Sequence, residues 1–134
     1  MTVHRTHLRV YYEDTDMAGI VYYANYLKYL ERGRSDAVRE MGIDQLKLRD
    51  DEGLVFAVRR VEIDYLRPAR FGDTLVVETR TSHVSGAKLV MDQRVLCEEA
   101  PVVEASVKVA FMSLEGRVTR FPEDVLSALK AAQS

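Results

Sequence analysis

Two aspartates, Asp14 and Asp16, stand two residues apart in the stretch YYEDTDMAGIVYYANY, residues 11–26, which also carries Gly19 and a set of tyrosines. A carboxylate held beside an aromatic wall can take a proton as a general base or attack an electrophile itself. Two carboxylates so close also repel, which favours the protonated form of one of them. The commoner use of Asp ahead of a helix is different: its oxygens cap backbone amides or brace a turn. The residues alone leave both readings open. Gly19 fits a place where the chain needs a positive φ or a close approach by a ligand. The segment AGIVYYAN leads into a helix, and free N–H groups at a helix start carry partial positive charge.

Other chemistries are poorly supplied. Cys97 is the single cysteine and sits in RVLCEEA, a setting that reads as a buried strand residue and fits a reducing compartment. His4, His7 and His83 all lie outside the aspartate stretch, and no serine occupies a G-x-S-x-G turn. The balance of 19 basic against 21 acidic residues gives a net charge of −2, which argues against binding nucleic acid through bulk charge. No apolar leader opens the chain and no run is long enough for a membrane span, so the expected location is the cytoplasm.

The elements that position these groups follow from periodicity. Residues 7–12 read as a strand, the acidic turn follows, and residues 24–41 read as a helix, with Leu27, Leu30, Ala37, Val38 and Met41 on its apolar stripe and Gly42 as its C-terminal cap. Gly33 interrupts that stripe. It costs about 1 kcal/mol relative to Ala, which close packing against a sheet or a partner subunit would offset. Four alternating segments come next: VFAVRRVEIDYL, DTLVVETRTSHV, AKLVMDQRVLCE and VVEASVKVAFMS, joined by turns that include HVSGAK and EEAP. A short helix begins at Pro122. This order predicts one α+β domain over residues 1–134, an antiparallel five-stranded sheet with one long helix on it. One helix cannot cover both faces of such a sheet, and its edges stay open, so a dimer or higher oligomer is expected.

Tyr12, Asp14, Thr15, Asp16, Gly19, Val21, Tyr22 and Tyr26 together resemble the motif Y-x-D-T-D-x-x-G-x-V-Y-x-x-x-Y of the 4-hydroxybenzoyl-CoA thioesterase-like hotdog superfamily, and within it the YbgC type associated with the Tol–Pal system. A second segment, VEIDYLRPARFGDTL, is similar to the family's second-strand segment, with Tyr65, Pro68, Ala69 and Asp73 in place. The resemblance runs from about residue 8 to about residue 130. It implies a hotdog fold, in which the sheet wraps the long helix, and a homodimer or homotetramer with active sites between subunits. It implies an acyl-CoA thioesterase that releases free acid and CoA, with CoA as part of the substrate, no cofactor and no metal.

On that resemblance Asp16 is the catalytic carboxylate and the backbone N–H of Tyr23 holds the oxyanion. Many YbgC-type sequences have His where this chain has Tyr23, which leaves the backbone role untouched but not a side-chain one. Tyr12, Asp14, Thr15 and Gly19 are expected to set the turn. Tyr22, Tyr26 and Glu31 are candidates for the acyl pocket, although helix-to-sheet packing is the ordinary use of Tyr26 and Tyr29 and a solvated face that of Glu31. The phosphates of CoA need cations, and Arg59, Arg60, Arg67, Arg70 and Lys88 are candidates, with Ser85 and Gly86 offering backbone amides. The alternatives are an acyl carrier protein thioesterase and a non-catalytic acyl-binding or Tol–Pal-associated interaction protein. A hotdog dehydratase would need a His in the motif, and none is there.

Overall fold

The computed structural model describes residues 2–133; the expected domain also includes residues 1 and 134, which lie outside the described residues. Five antiparallel strands form one sheet in the order β1-β3-β4-β5-β2: β1 His4–Arg9, β2 Leu54–Tyr65, β3 Thr74–Val84, β4 Lys88–Cys97 and β5 Ala100–Ser113. The long helix α1, Asn25–Glu40, lies on the sheet against β1, β3 and β4. A short helical segment follows it, α2 Gln45–Lys47 running into a π-turn at Leu48–Glu52, and α3, Glu123–Ala132, closes the chain. This is the hotdog arrangement, with the sheet curved around α1.

Strand alternation sets the core. Leu75, Val77, Leu89, Met91, Val95, Val103, Val107 and Phe111 all turn to the helix side and are buried. Packing forms two clusters. One gathers Tyr26, Tyr29, Leu30 and Val77 under the first half of α1. The other gathers Val38, Leu89, Phe111, Phe121 and Leu129 under its second half and α3. Removing a large buried side chain from such clusters costs roughly 2–5 kcal/mol.

Gly33 faces the sheet and not a partner. A Cβ there would sit 2.6 Å from Val77 Cγ1 and 2.9 Å from Thr79 Oγ1, so the helix approaches β3 more closely than any side chain allows. Beneath it lies Gln93, 1% exposed, whose Nε2 donates to Leu30 O and to Thr79 Oγ1, each at 2.9 Å. The helix ends as its sequence predicts. Gly42 takes φ +86°, its N–H bonds Arg39 O at 2.9 Å, and Ile43 N–H bonds Val38 O at 3.2 Å. That pair of bonds satisfies carbonyls the helix end would leave open.

Three expectations are corrected. The first strand is His4–Arg9 rather than residues 7–12. Val10 still bonds Asp73 O, but the Asp14 carboxylate takes the Tyr11 N–H at 2.8 Å, and the chain then turns through a 3₁₀ segment, Tyr12–Asp14. The buried stripe of α1 is Tyr26, Tyr29, Leu30, Gly33, Ala37 and Val38, while Leu27 is 44% exposed. The tyrosine rings fill the space that a leucine stripe was expected to fill. The helical segment between α1 and β2 was not predicted at all.

The outer face of the sheet is polar and holds a cross-strand row of charges. Glu78 is buried between Arg5 and Arg94, with Arg94 Nη2 at 2.8 Å and Arg5 Nη2 at 3.2 Å. Burial works to raise the pKa of Glu78, but the Arg94 hydrogen bond and the charges of Arg94, Arg5 and Arg80 outweigh it and the pKa falls below its ordinary value. A carboxylate depressed in the folded state adds stability that is fully present above its unfolded pKa and is lost as pH falls through the folded one. Denaturant titrations of wild type and Glu78→Gln should therefore differ by a constant amount above about pH 5 and converge below about pH 4, given an ordinary Glu pKa near 4.3. A pH-independent difference would show that the ion pairs contribute nothing.

Candidate active site

The aspartate stretch folds into a small hydrogen-bonded hairpin ahead of α1. Thr15 and Val21 form an isolated antiparallel bridge. Asp16 N–H bonds Ile20 O at 2.9 Å and Gly19 N–H bonds Asp16 O at 3.0 Å, closing a turn in which Gly19 takes φ +78°. No atom lies within 4 Å of a Cβ placed on Gly19, so the positive φ, and not crowding, is what favours glycine there.

The two aspartates differ in what they touch. Asp14 is half-buried. Its carboxylate bonds Tyr11 N–H, and its carbonyl accepts from Tyr22 N–H and from Asn25 Nδ2, both at 2.9 Å. It also lies close to the Tyr29 hydroxyl, which is buried with no bonded partner among the described residues. Burial first, then the Asp14 carboxylate, hold the Tyr29 phenol well above its ordinary pKa. Thr15 Oγ1 donates to Tyr12 O at 2.7 Å. Asp16 is exposed, and among the described residues its carboxylate accepts only the Ala18 N–H, on Oδ1 at 2.9 Å. One carboxylate is tied into the frame, and the other is presented from it. The Tyr22 phenol is raised by its hydrogen bond to Tyr23 and then by the Tyr23 charge and slight burial, with a smaller contribution from Asp16.

Helix α1 begins without a cap. Ala24, the residue at the cap position, has no side-chain oxygen, and the first turn has no acidic residue. The amides of Tyr23 and Ala24 donate to no backbone carbonyl among the described residues. The positive end of the helix is thus left unneutralised by its own residues, four to five positions after Gly19, which closes the turn that presents Asp16.

Aromatic rings frame this region. Tyr23 packs edge-on against Tyr65 at 6.1 Å, and Tyr65 Oη donates to Tyr23 O at 3.3 Å. Tyr26 lies in the core beneath them, 3% exposed, and its hydroxyl accepts the Ala69 N–H at 3.2 Å. That bond, with Val21 N–H to Ala69 O at 2.8 Å, fastens the loop after β2 to the hairpin. Tyr22 and Tyr23 remain exposed, and Tyr12 stacks edge-on against Phe71.

The candidate cations do not converge within one chain. Arg67 and Arg70 sit on the loop beside the Asp16 hairpin, with Ile20 bridged to Arg70. Arg59 and Arg60 lie at the bulge of β2, where Arg60 pairs with Glu62 at 2.9 Å. Ser85, Gly86 and Lys88 form the β3–β4 hairpin at the other end of the sheet, roughly 30 Å away by strand rise along β3. A residue not singled out from sequence joins them there: a Cβ on Gly86 would lie 2.7 Å from Arg120 Nη1, so that guanidinium rests on the hairpin backbone. Glu31 lies on α1, accepts from Ser35 Oγ at 3.0 Å, and borders a cavity of about 170 Å³ against Phe56, Leu89 and Met91. Among the described residues no cluster of three or more His, Cys, Asp or Glu is placed to hold a metal, and no helix is long and apolar enough to cross a membrane.

Comparison with known proteins gives a consistent picture. The model of the thioesterase-like superfamily matches residues 10–129. The acyl-CoA thioesterase YbgC of Haemophilus influenzae is 39% identical over 122 residues, covering 90% of each chain. Among solved structures, a probable thioesterase from Bartonella henselae superposes with a TM-score of 0.87 at 39% identity, covering 90% of this chain and 100% of that one. A thioesterase from Thermus thermophilus, complexed with coenzyme A and Zn, superposes with a TM-score of 0.81 at 27% identity over 97% of this chain and 93% of that one.

Proposed function

Because this chain belongs to the thioesterase-like superfamily, with YbgC acyl-CoA thioesterases among its relatives, we propose that it hydrolyses acyl-CoA thioesters to free acid and CoA through the Asp16 carboxylate. The observation that carries the mechanism is the hairpin: it presents the freer of the two aspartates from the same short segment that leads into an uncapped helix start. The thioester carbonyl would accept the Tyr23 N–H, so that negative charge growing on its oxygen meets a fixed donor and the positive helix end. Losing one such donor typically lowers the rate on the order of 100-fold or more. Asp16 either takes a proton from a water that attacks the carbonyl carbon, or attacks that carbon itself to form a mixed anhydride that water then opens; in both cases the C–S bond breaks and CoA leaves as the thiol. A single turnover in ¹⁸O-labelled water tests for the anhydride: base catalysis puts one labelled oxygen into each acid released and none into the protein, whereas an anhydride opened at its aspartyl carbonyl leaves the first acid unlabelled and puts the label into Asp16.

The site is completed by a second copy of the chain in this reading. In one chain Asp16 stands in open solvent, where electrostatic catalysis is weakest. Strand β2 is a 12-residue edge strand, unpaired on its outer side among the described residues. Its Val58 and Tyr65 are exposed on the helix side, and Leu27 of α1 is exposed as well. A long edge strand beside an apolar surface calls for a partner strand. A two-fold pairing of β2 with its copy would cover both and would bring cations of one subunit toward the hairpin of the other.

Coenzyme A is preferred over an acyl carrier protein as the thiol carrier, because relatives are named for acyl-CoA and a structural neighbour holds CoA. Initial rates with one acyl group on each carrier test this: the CoA thioester should turn over faster, and the reverse order would favour a carrier-protein enzyme. Asp14 serves the frame. Asp14→Asn should cost about 1 kcal/mol of stability, the scale of one weakened hydrogen bond, and lower turnover far less than a change at Asp16. Equal inactivation in a fully stable Asp14→Asn protein would contradict this division.

A further inference from the structure

The cavity of about 170 Å³ beneath the middle of α1 has an apolar lining of Phe56, Leu89, Met91 and Val109, and two charged groups that the reaction above leaves unused, Glu31 and Arg34. The α1 residues on it, Glu31, Arg34, Ser35 and Val38, fall at steps of three and four along one stripe of the helix. Followed toward the N-terminus, the same stripe passes Leu27 and reaches Ala24, at the unengaged amides. By helix rise, Glu31 and Arg34 lie about 10 and 15 Å from that end.

Arg34 is half-buried, and its Nη1 donates to Gln93 Oε1 at 3.1 Å. Gln93 is itself fixed by its bonds to Leu30 O and Thr79 Oγ1, so the guanidinium is held by a buried, neutral partner. Among the described residues Arg34 makes no ion pair. Burial lowers its pKa, and the charge of Glu31 acts to raise it, but Glu31 is exposed and bonds Ser35. A guanidinium has five N–H donors. One neutral acceptor leaves most of that capacity unspent at the wall of an apolar space, and Arg recognises oxygen acceptors by directed donation.

Resting on the acyl-CoA reading above, we propose that Arg34 is a specificity-determining residue that donates a hydrogen bond to an oxygen at the far end of the acyl group, whose apolar body fills the cavity. An apolar cavity of about 150 Å³ takes a benzene ring, so the body is the size of a ring or a short chain. Glu31 is the acceptor when the distal oxygen carries a proton. A terminal hydroxyl then engages both groups, and a terminal carboxylate engages Arg34 alone. The substrate class is an acyl-CoA oxygenated at its distal end.

The test compares kcat/KM for hexanoyl-CoA, 6-hydroxyhexanoyl-CoA and adipoyl-CoA in wild type, Arg34→Lys and Arg34→Met, with melting temperatures to show that each variant is folded. Wild type should favour the better oxygenated thioester over hexanoyl-CoA by about 10- to 100-fold, the range of a hydrogen bond to a charged group. Arg34→Met should bring that ratio close to one, and Arg34→Lys should leave it between. Preference for the hydroxyl over the carboxylate supports joint use of Glu31, and the reverse supports Arg34 acting alone. A wild type without preference, or a ratio that Arg34→Met does not move, overturns the proposal. If none of the three is cleaved, the acyl-CoA reading is judged separately, by thiol release across a wider range of acyl-CoAs. Thermal shifts with free hexanoate and 6-hydroxyhexanoate then decide the cavity: an extra shift from the hydroxyl, lost in Arg34→Met, supports the proposal, and equal shifts in both proteins overturn it.

Discussion

Asp16→Asn is expected to lower thiol release by about 100- to 10,000-fold, the usual share of a general acid–base group, and to leave the fold intact. The two halves of that expectation have separate causes. The turn needs only an acceptor at Asp16 Oδ1 for the Ala18 N–H, and an asparagine oxygen can accept the same bond. The side chain is exposed, so no buried packing changes. What asparagine removes is the charge and basicity that attack or proton transfer requires. Asp16→Ala removes the turn bond as well and should lose stability in addition to activity. Turnover by Asp16→Asn within a few-fold of wild type, at an unchanged melting temperature, would take Asp16 out of the chemistry.

Gly33→Val should be the most damaging single change to the fold outside the large core residues, destabilising by about 3 kcal/mol or more, at the upper end of overpacking costs. The first added carbon already falls 2.6 Å from Val77 Cγ1 and 3.1 Å from Gln93 Nε2. Valine then adds two methyl groups and a β-branched χ1 restriction in mid-helix. Neither side of the contact can give easily, because Val77 is fully buried and Gln93 is pinned by its own hydrogen bonds. Gly33→Ala is the milder comparison, in which a gain of about 1 kcal/mol in helix propensity partly offsets the clash. Equilibrium unfolding should rank wild type, then Ala, then Val. Valine as stable as wild type would mean that α1 can lift from β3 at no cost.

The fold was legible because its signals are local. Alternation in β3 and β4 puts Leu75, Val77, Met91 and Val95 on one face whatever lies opposite, and Gly42 marks a helix end through backbone geometry alone. What was not legible depends on contacts remote in sequence. HLRVYY alternates as well as HRTHLR does, and only the Asp14 bond to Tyr11 N–H decides where pairing stops. Leu27 looks like a core residue on a helical wheel, yet Tyr26 and Tyr29 take the inner positions because their rings reach Tyr65 and the wall beneath β3.

The site divides in the same way. The hairpin that separates Asp14 from Asp16 is built from residues within a dozen positions of one another, so the stretch itself shows it. Arg34 carries no sequence signal, because an arginine on a helix is usually solvated and its pairing with Gln93 spans 59 positions. The cations expected to meet CoA are spread over both ends of the sheet, and no spacing rule states which of them a second subunit would bring together. Arg120 was missed for a related reason: its contact with Gly86 links the β3–β4 hairpin to the segment after β5.

Thioester hydrolysis by this chain is measured by release of free thiol across short-chain, long-chain, aromatic and hydroxylated acyl-CoAs, with acid product quantified in parallel. The wild-type protein should release CoA and acid in equal amounts, saturably, from at least one class of these thioesters. Binding of acyl-CoA with no thiol released above the uncatalysed background from any class would contradict it, and would leave the protein an acyl-binding module rather than an enzyme.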